Sequence, residues 1–180
     1  MRNQDLYQLF IQELEDMYNS ENQIIAFFPK AIMLACSIEL AEALSHHLKE
    51  TENQVTKIER IFSRLGEKKQ GRTCLAMKGI LGEIESIIKN KTKSSLLDAA
   101  LISGLQKVEH YEIASYSSLR SFAKHLSLKS EVIDLLQEIL NEENTADKKL
   151  TKIAEGSFFT PGINEDAVIV GESRVTSSLR

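Results

Sequence analysis

The sequence predicts an all-α protein: four long helices in one bundle, with one additional shorter helix in the long central connection. Three observations carry this prediction. Proline is nearly absent, with only Pro29 and Pro161 in the chain. Apolar residues recur three or four apart as far as Glu155, and no strand alternation competes before residue 156. Residues suited to helix ends, Ser37, Gly66, Ser127 and Gly156, fall between the periodic stretches.

The first helix is expected from about Asp5 to Phe28, because Pro29 disfavours helical geometry at the residue before it. Its stripe is Leu6, Phe10, Leu14, Met17, Glu21, Ile24 and Phe28. A short helical turn is expected over Lys30 to Cys36. Ser37 then caps a second long helix that ends at Gly66, with Leu40, Ala43, His47, Glu50, Gln54, Ile58, Ile61 and Leu65 facing inward. Beyond the charged Gly66–Gly71 connection, a shorter helix is expected from about Thr73 to Lys89, followed by a polar loop over Asn90 to Lys93. Ser95-Leu96-Leu97-Asp98 resembles a capping box with Asp in place of Glu. It opens a third long helix, to about His125, whose face includes Leu105, Glu109, Glu112, Tyr116, Leu119 and Ala123. Ser127 is read as the cap of the last long helix, ending at Gly156, with Ile133, Leu136, Leu140, Glu143, Asp147, Leu150 and Ala154 in its stripe. Residues 1–156 thus form the helical bundle. Residues 157–180, with Phe158-Phe159 and the apolar run Ala167-Val168-Ile169-Val170, form a tail: a flexible extension, an arm that docks on a partner, or an appended segment.

Composition narrows the function. At 180 residues with 42% apolar and 27% charged residues, the chain is an ordinary single globular domain plus tail. A net charge of −4 argues against nucleic acid. The apolar run Ile24–Phe28 stops at Pro29, far short of a membrane span. The start is acidic by Asp5 and no apolar run follows, so no secretory signal is expected and the cytoplasm is the default. Cys36 and Cys74 read as two buried reduced thiols, and no spacing suits zinc.

Each long helix carries acid inside its apolar stripe: Glu21, Glu50, the pair Glu109/Glu112, and the pair Glu143/Asp147. A lone glutamate near a stripe ordinarily reaches solvent from its edge. Four helices with the same feature suggest convergence. Six carboxylates in one low-dielectric space cannot all stay ionised without cations, and each buried unpaired charge costs several kcal/mol. Two divalent ions supply charge and coordination together, and oxygen-rich ligation suits iron or manganese. Bundles that hold two such ions with carboxylates from every helix, and with one long crossover, are ferritin-like. His47 shares the face of Glu50 and is either a ligand or that residue's partner. His46, His110 and His125 are expected outside the cluster, whereas Tyr18, Tyr111 and Tyr116 are candidates to lie near it.

Four segments carry a closer resemblance. They are Asp16-Met17-Tyr18-Asn19-Ser20-Glu21-Asn22-Gln23, His47-Leu48-Lys49-Glu50-Thr51, Lys107-Val108-Glu109-His110-Tyr111-Glu112-Ile113-Ala114-Ser115-Tyr116, and Glu142-Glu143 with Asp147-Lys148-Lys149-Leu150. Together they resemble the ferritin-like YciE/YciF stress-protein family over roughly residues 4 to 155, and the Val108–Tyr116 stretch is the most specific part. The resemblance implies a ferritin-like four-helix bundle with an additional helix, a homodimer, and a dinuclear metal site, without a defined reaction. The wider pattern of Glu-x-x-His on two helices is absent: the positions three after Glu50 and Glu143 are Asn53 and Ala146. Gln54 and Asp147, each four residues on, are candidate replacements, with His47 a possible additional ligand. The expected function is a dinuclear iron or manganese stress-response protein that reacts with oxygen or peroxide, or takes ferrous iron itself as substrate. The competing expectation is a non-enzymatic dimeric helical protein that acts through partners.

Overall fold

The computed structural model describes residues 2–69, 71–157 and 160–168. Five helices follow in order: α1 (Arg2–Leu34), α2 (Ile38–Leu65), α3 (Leu75–Ile88), α4 (Ser95–His125) and α5 (Ser130–Glu155). The links after α1 and α4 are short, so α1/α2 and α4/α5 form antiparallel hairpins. α1 also packs on α4, and α2 on α5, which closes a four-helix ring. The long α2–α4 connection carries α3 across the outside of α1 and α4. At Gly104, a Cβ would stand 2.5 Å from Ile84 Cγ1, so glycine there permits the close approach of α3 to α4. Among the described residues, no helix is long and apolar enough to cross a membrane.

Three helix boundaries differ from the expected ones. Pro29 does not end α1, and the expected separate turn over Lys30 to Cys36 joins it instead. The proline is exposed, so its missing N–H falls on the wet side, while Phe27, Phe28, Ala31 and Ala35 bury the opposite side and hold the helix straight through. The α4 cap is Ser94 rather than Ser95: its Oγ accepts from Leu97 N–H at 3.2 Å. Asp98 does not turn back on its own helix. It is 1% exposed and accepts Cys36 N–H at 2.8 Å and Ser37 N–H at 2.7 Å, fastening the start of α2 to α4. Ser127 does not cap α5 either. It sits at φ 51° and closes the end of α4, donating its N–H to Lys124 O while Leu128 N–H reaches Ala123 O. Ser37 and Gly66 do what their residue types suggest, Ser37 capping Leu40 N–H and Gly66 taking φ 71° after α2. Cys74 is buried and reduced, but Cys36 is a free thiol exposed at the corner before α2.

Past α5, Gly156–Ser157 (β1) pairs antiparallel with Thr160–Pro161 (β2), a short helical stretch covers residues 163–168, and Ile163 is buried in the core. The Phe158-Phe159 pair and the end of the expected apolar run, Ile169-Val170, lie outside the described residues.

The core is split. One apolar cluster gathers Ile24, Phe28, Leu40, Leu44, Leu105, Val108 and Leu150 with the buried face of α3. The other gathers Phe10, Leu14, Met17, Ile58, Ile61, Tyr116, Leu119 and Ile139. The layer between them is polar.

Candidate metal centre

On each helix the interruption falls at the same height. Glu21 lies between Met17 and Ile24 on α1; His47, Thr51 and Gln54 lie between Leu44 and Ile58 on α2. On α4, Glu109 and Glu112 follow Val108 and precede Tyr116, and on α5 Glu143 lies between Ile139 and Leu150. The 3.6-residue repeat that aims the apolar neighbours inward aims these side chains the same way. Glu21, Glu109 and Glu143 are 0% exposed and Glu112 is 1% exposed.

Among the described residues, His47, Glu109, Glu112 and Glu143 offer ligand atoms that all lie within 4.8 Å of one another. His47 Nε2 is 3.3 Å from Glu109 Oε1 and 3.6 Å from Glu143 Oε2. The ring is packed against Phe28, with centroids 5.4 Å apart. Glu21 adjoins this group through Glu112 and accepts a hydrogen bond from the buried Tyr116 hydroxyl. Gln54 donates to Glu143 and, at 3.1 Å, to Glu142, which Lys57 holds in place.

Two predicted members stand at the rim. Glu50 keeps 27% of its side chain exposed and reaches His46 at 3.2 Å and His47 Nδ1 at 3.3 Å, while Thr51 takes the buried slot beside it. Asp147 is 19% exposed and lies 3.4 Å from the exposed His110. Tyr18 and Tyr111 turn to other partners, Glu59 and Cys74 respectively. Lys57 and Glu142, which support Gln54, are not among the expected site residues. The only signals for them were a lysine one turn past Gln54 and an acid adjacent to Glu143.

The electrostatics follow from burial. Burial pushes the Glu21 carboxyl up to about 7, against the pull of Tyr116 and His47. Burial, reinforced by the charges of Glu21, Glu143 and Glu109, holds Glu112 well above the usual carboxylate range. Burial and Glu109 raise Glu143 likewise, although His47 opposes them. Burial alone would lower the His47 imidazolium, yet Glu109, Glu50 and Glu143 outweigh it and hold it well above its ordinary value. Hydrogen bonding to His47 lowers Glu50. Seven buried atoms here have no hydrogen-bond partner: Glu21 Oε2, His47 Nε2, Gln54 Oε1, both Glu109 oxygens, Glu112 Oε1 and Glu143 Oε2. Native interiors rarely leave such atoms unpaired. A set of facing acceptors fits cations, and carboxylate oxygens with one imidazole are donors that iron and manganese accept.

Residues 5–166 match the family described as a domain of unknown function, DUF892. The chain is 37% identical over 147 residues to protein YciF of Escherichia coli, covering 81% of this chain and 88% of that one. The crystal structure of the E. coli stress protein YciF superposes with a TM-score of 0.78 at 36% identity, over 82% of this chain and 92% of that one. YcfI of Rhodopseudomonas palustris superposes with a TM-score of 0.79 at 35% identity, over 83% and 94% of the two chains.

Proposed function

The chain belongs to the DUF892 family and is a YciF-like protein, and from that premise we propose that it is a dinuclear metal-binding stress-response protein. Two divalent ions, iron or manganese, occupy the polar layer of the bundle. One observation carries the reading: four carboxylates and an imidazole converge between two apolar layers with their inner atoms unpaired. Two like charges about 4 Å apart repel by roughly 4 kcal/mol at an effective dielectric constant near 20. Four carboxylates carry −4, which two divalent ions balance with His47 neutral.

Glu109 and Glu112 supply donors from one helix, Glu21 and Glu143 from two others, and His47 Nε2 from the fourth. Buried Gln54 completes the candidate set from within, and Glu50 and Asp147 from its edge. Tyr116 holds the Glu21 carboxylate in position, and Gln54, fixed through Glu142 and Lys57, does the same for Glu143. The apolar layers above and below shield the site along the bundle axis and so strengthen the charge interactions inside. Bound there, a pair of redox-active ions would supply electrons to a small oxidant such as oxygen or peroxide. Metal analysis tests this reading. Protein purified without chelators from cells supplied with iron and manganese should carry about two ions per chain, and Glu109→Ala and Glu143→Ala should lose them. Metal-free wild-type protein from such cells would contradict it.

A second reading has its own support. With Glu112 and Glu143 protonated and His47 charged opposite Glu109, the cluster could persist without ions in a dimeric helical protein that acts through partners. That reading predicts no change in melting temperature on adding metal. Both readings take the protein as a homodimer. Exposed Met33, Ile38 and Leu96, on the segments around the Asp98 fastening, supply apolar surface for it. Sedimentation at micromolar concentration should give twice the chain mass, and a monomer would contradict the dimer.

A further inference from the structure

We propose that the cavity between α2 and α5 binds a small organic molecule with an apolar body and one oxygen-bearing end, the polar end lying against His47 and Glu109. The cavity holds about 240 Å³. Its walls are Ala43 and Leu44 on α2 and Ala146 and Leu150 on α5. The buried His47 and Glu109 lie at its inner end. The exposed side chains of His46 and Lys149 stand at its mouth, beside half-exposed Glu50.

The volume is the first argument. The space is far larger than a two-oxygen molecule such as oxygen or peroxide would need. Away from His47 and Glu109 the hydrocarbon walls give ordered water too few partners to hold it, and an apolar cavity of about 150 Å³ is already enough for benzene. The second argument is the origin of the space. Ala146 stands three residues after Glu143, where a Glu-x-x-His pattern would place an imidazole. Ala43 stands one turn before His47 on the facing helix. The smallest side chains therefore face each other where a ligand side chain would otherwise fill the gap. The third argument is charge. At the entrance Lys149 is paired with Glu39 at 2.9 Å and His46 lies 3.2 Å from Glu50, so each charged group there has a partner, and the walls behind them are hydrocarbon. Such a path suits a neutral amphipathic molecule better than a hydrated cation.

This inference deepens the metal-centre reading by naming a substrate class, but binding itself requires no ion. The test uses the full chain stripped of metal and 2-phenyl-2-propanol, an unreactive probe with an aromatic body and one hydroxyl. Methyl NMR should show saturable shifts at Ala43, Leu44, Ala146 and Leu150, and glycerol, which lacks an apolar body, should not compete. Ala146→Phe and Ala43→Leu fill the space from opposite walls and should each weaken binding at least tenfold. No saturable shift, shifts centred elsewhere, or unchanged affinity in both folded variants would overturn the proposal. Metal content of the two variants should equal that of wild type. Absence of metal from the wild type would remove the metal-centre reading and leave the cavity result standing.

Discussion

Glu112 is itself buried among the charges of Glu21, Glu143 and Glu109, so without ions it is held protonated. A carboxyl raised in the folded state contributes stability that is complete below its unfolded value, about 4.3, and lost as pH rises through the folded value. Glu21, at about 7, places much of that loss near neutrality. His47 acts in the same direction: its raised value contributes stability below about 6.5 that disappears as pH climbs past the folded value. The melting temperature of chelator-stripped protein should therefore fall between pH 5 and pH 8. Glu112→Gln, neutral at every pH, should flatten that fall and melt higher than wild type at pH 8. A profile that rises across this interval would contradict the burial argument. The deep carboxylates were legible because each occupies a 3.6-period slot between large apolar residues. Glu50 and Asp147 occupied similar slots on paper. Exposed His46 and His110 pair with them at the rim, and pattern alone does not show such local pairing.

At the scale of elements, Asp98 has the largest structural consequence for its size. Its two oxygens accept two backbone N–H groups of the α1–α2 corner, which would otherwise be partly buried without partners. Asp98→Ala should cost about 3 kcal/mol, read as a lower urea midpoint with an unchanged slope. A loss below about 0.5 kcal/mol would show that water satisfies the corner instead. The sequence placed Asp98 in a capping box of its own helix, because a capping motif reads only local partners and the true ones lie about sixty positions away. Ser127 misled for a related reason. Serine favours helix starts, yet here it takes the left-handed position that glycine usually fills at a helix end. Ser37 and Gly66 were legible because their neighbours in sequence are also their partners in space. Pro29 shows packing overriding a local preference: buried residues on both sides of it keep α1 continuous.

Across the whole molecule, the polar layer divides one core into two, an arrangement that lowers stability unless something binds there. Sites built to hold ions carry this cost in the free protein, and ligand linkage returns it when they fill. The four long helices and the crossover with its extra helix followed from periodicity, and the family from the Val108–Tyr116 stretch and the segments that accompany it; the short helical stretch over 163–168 did not. The cavity beside Ala43 and Ala146 did not, since empty space depends on how two distant helices approach each other. The most direct test is an anomalous-scattering map from crystals grown with manganese(II). The account predicts two peaks about 3.5–4 Å apart within the bundle, bonded to Glu21, Glu109, Glu112, Glu143 and His47. A bundle interior without a peak, with manganese only at surface carboxylates, would contradict it.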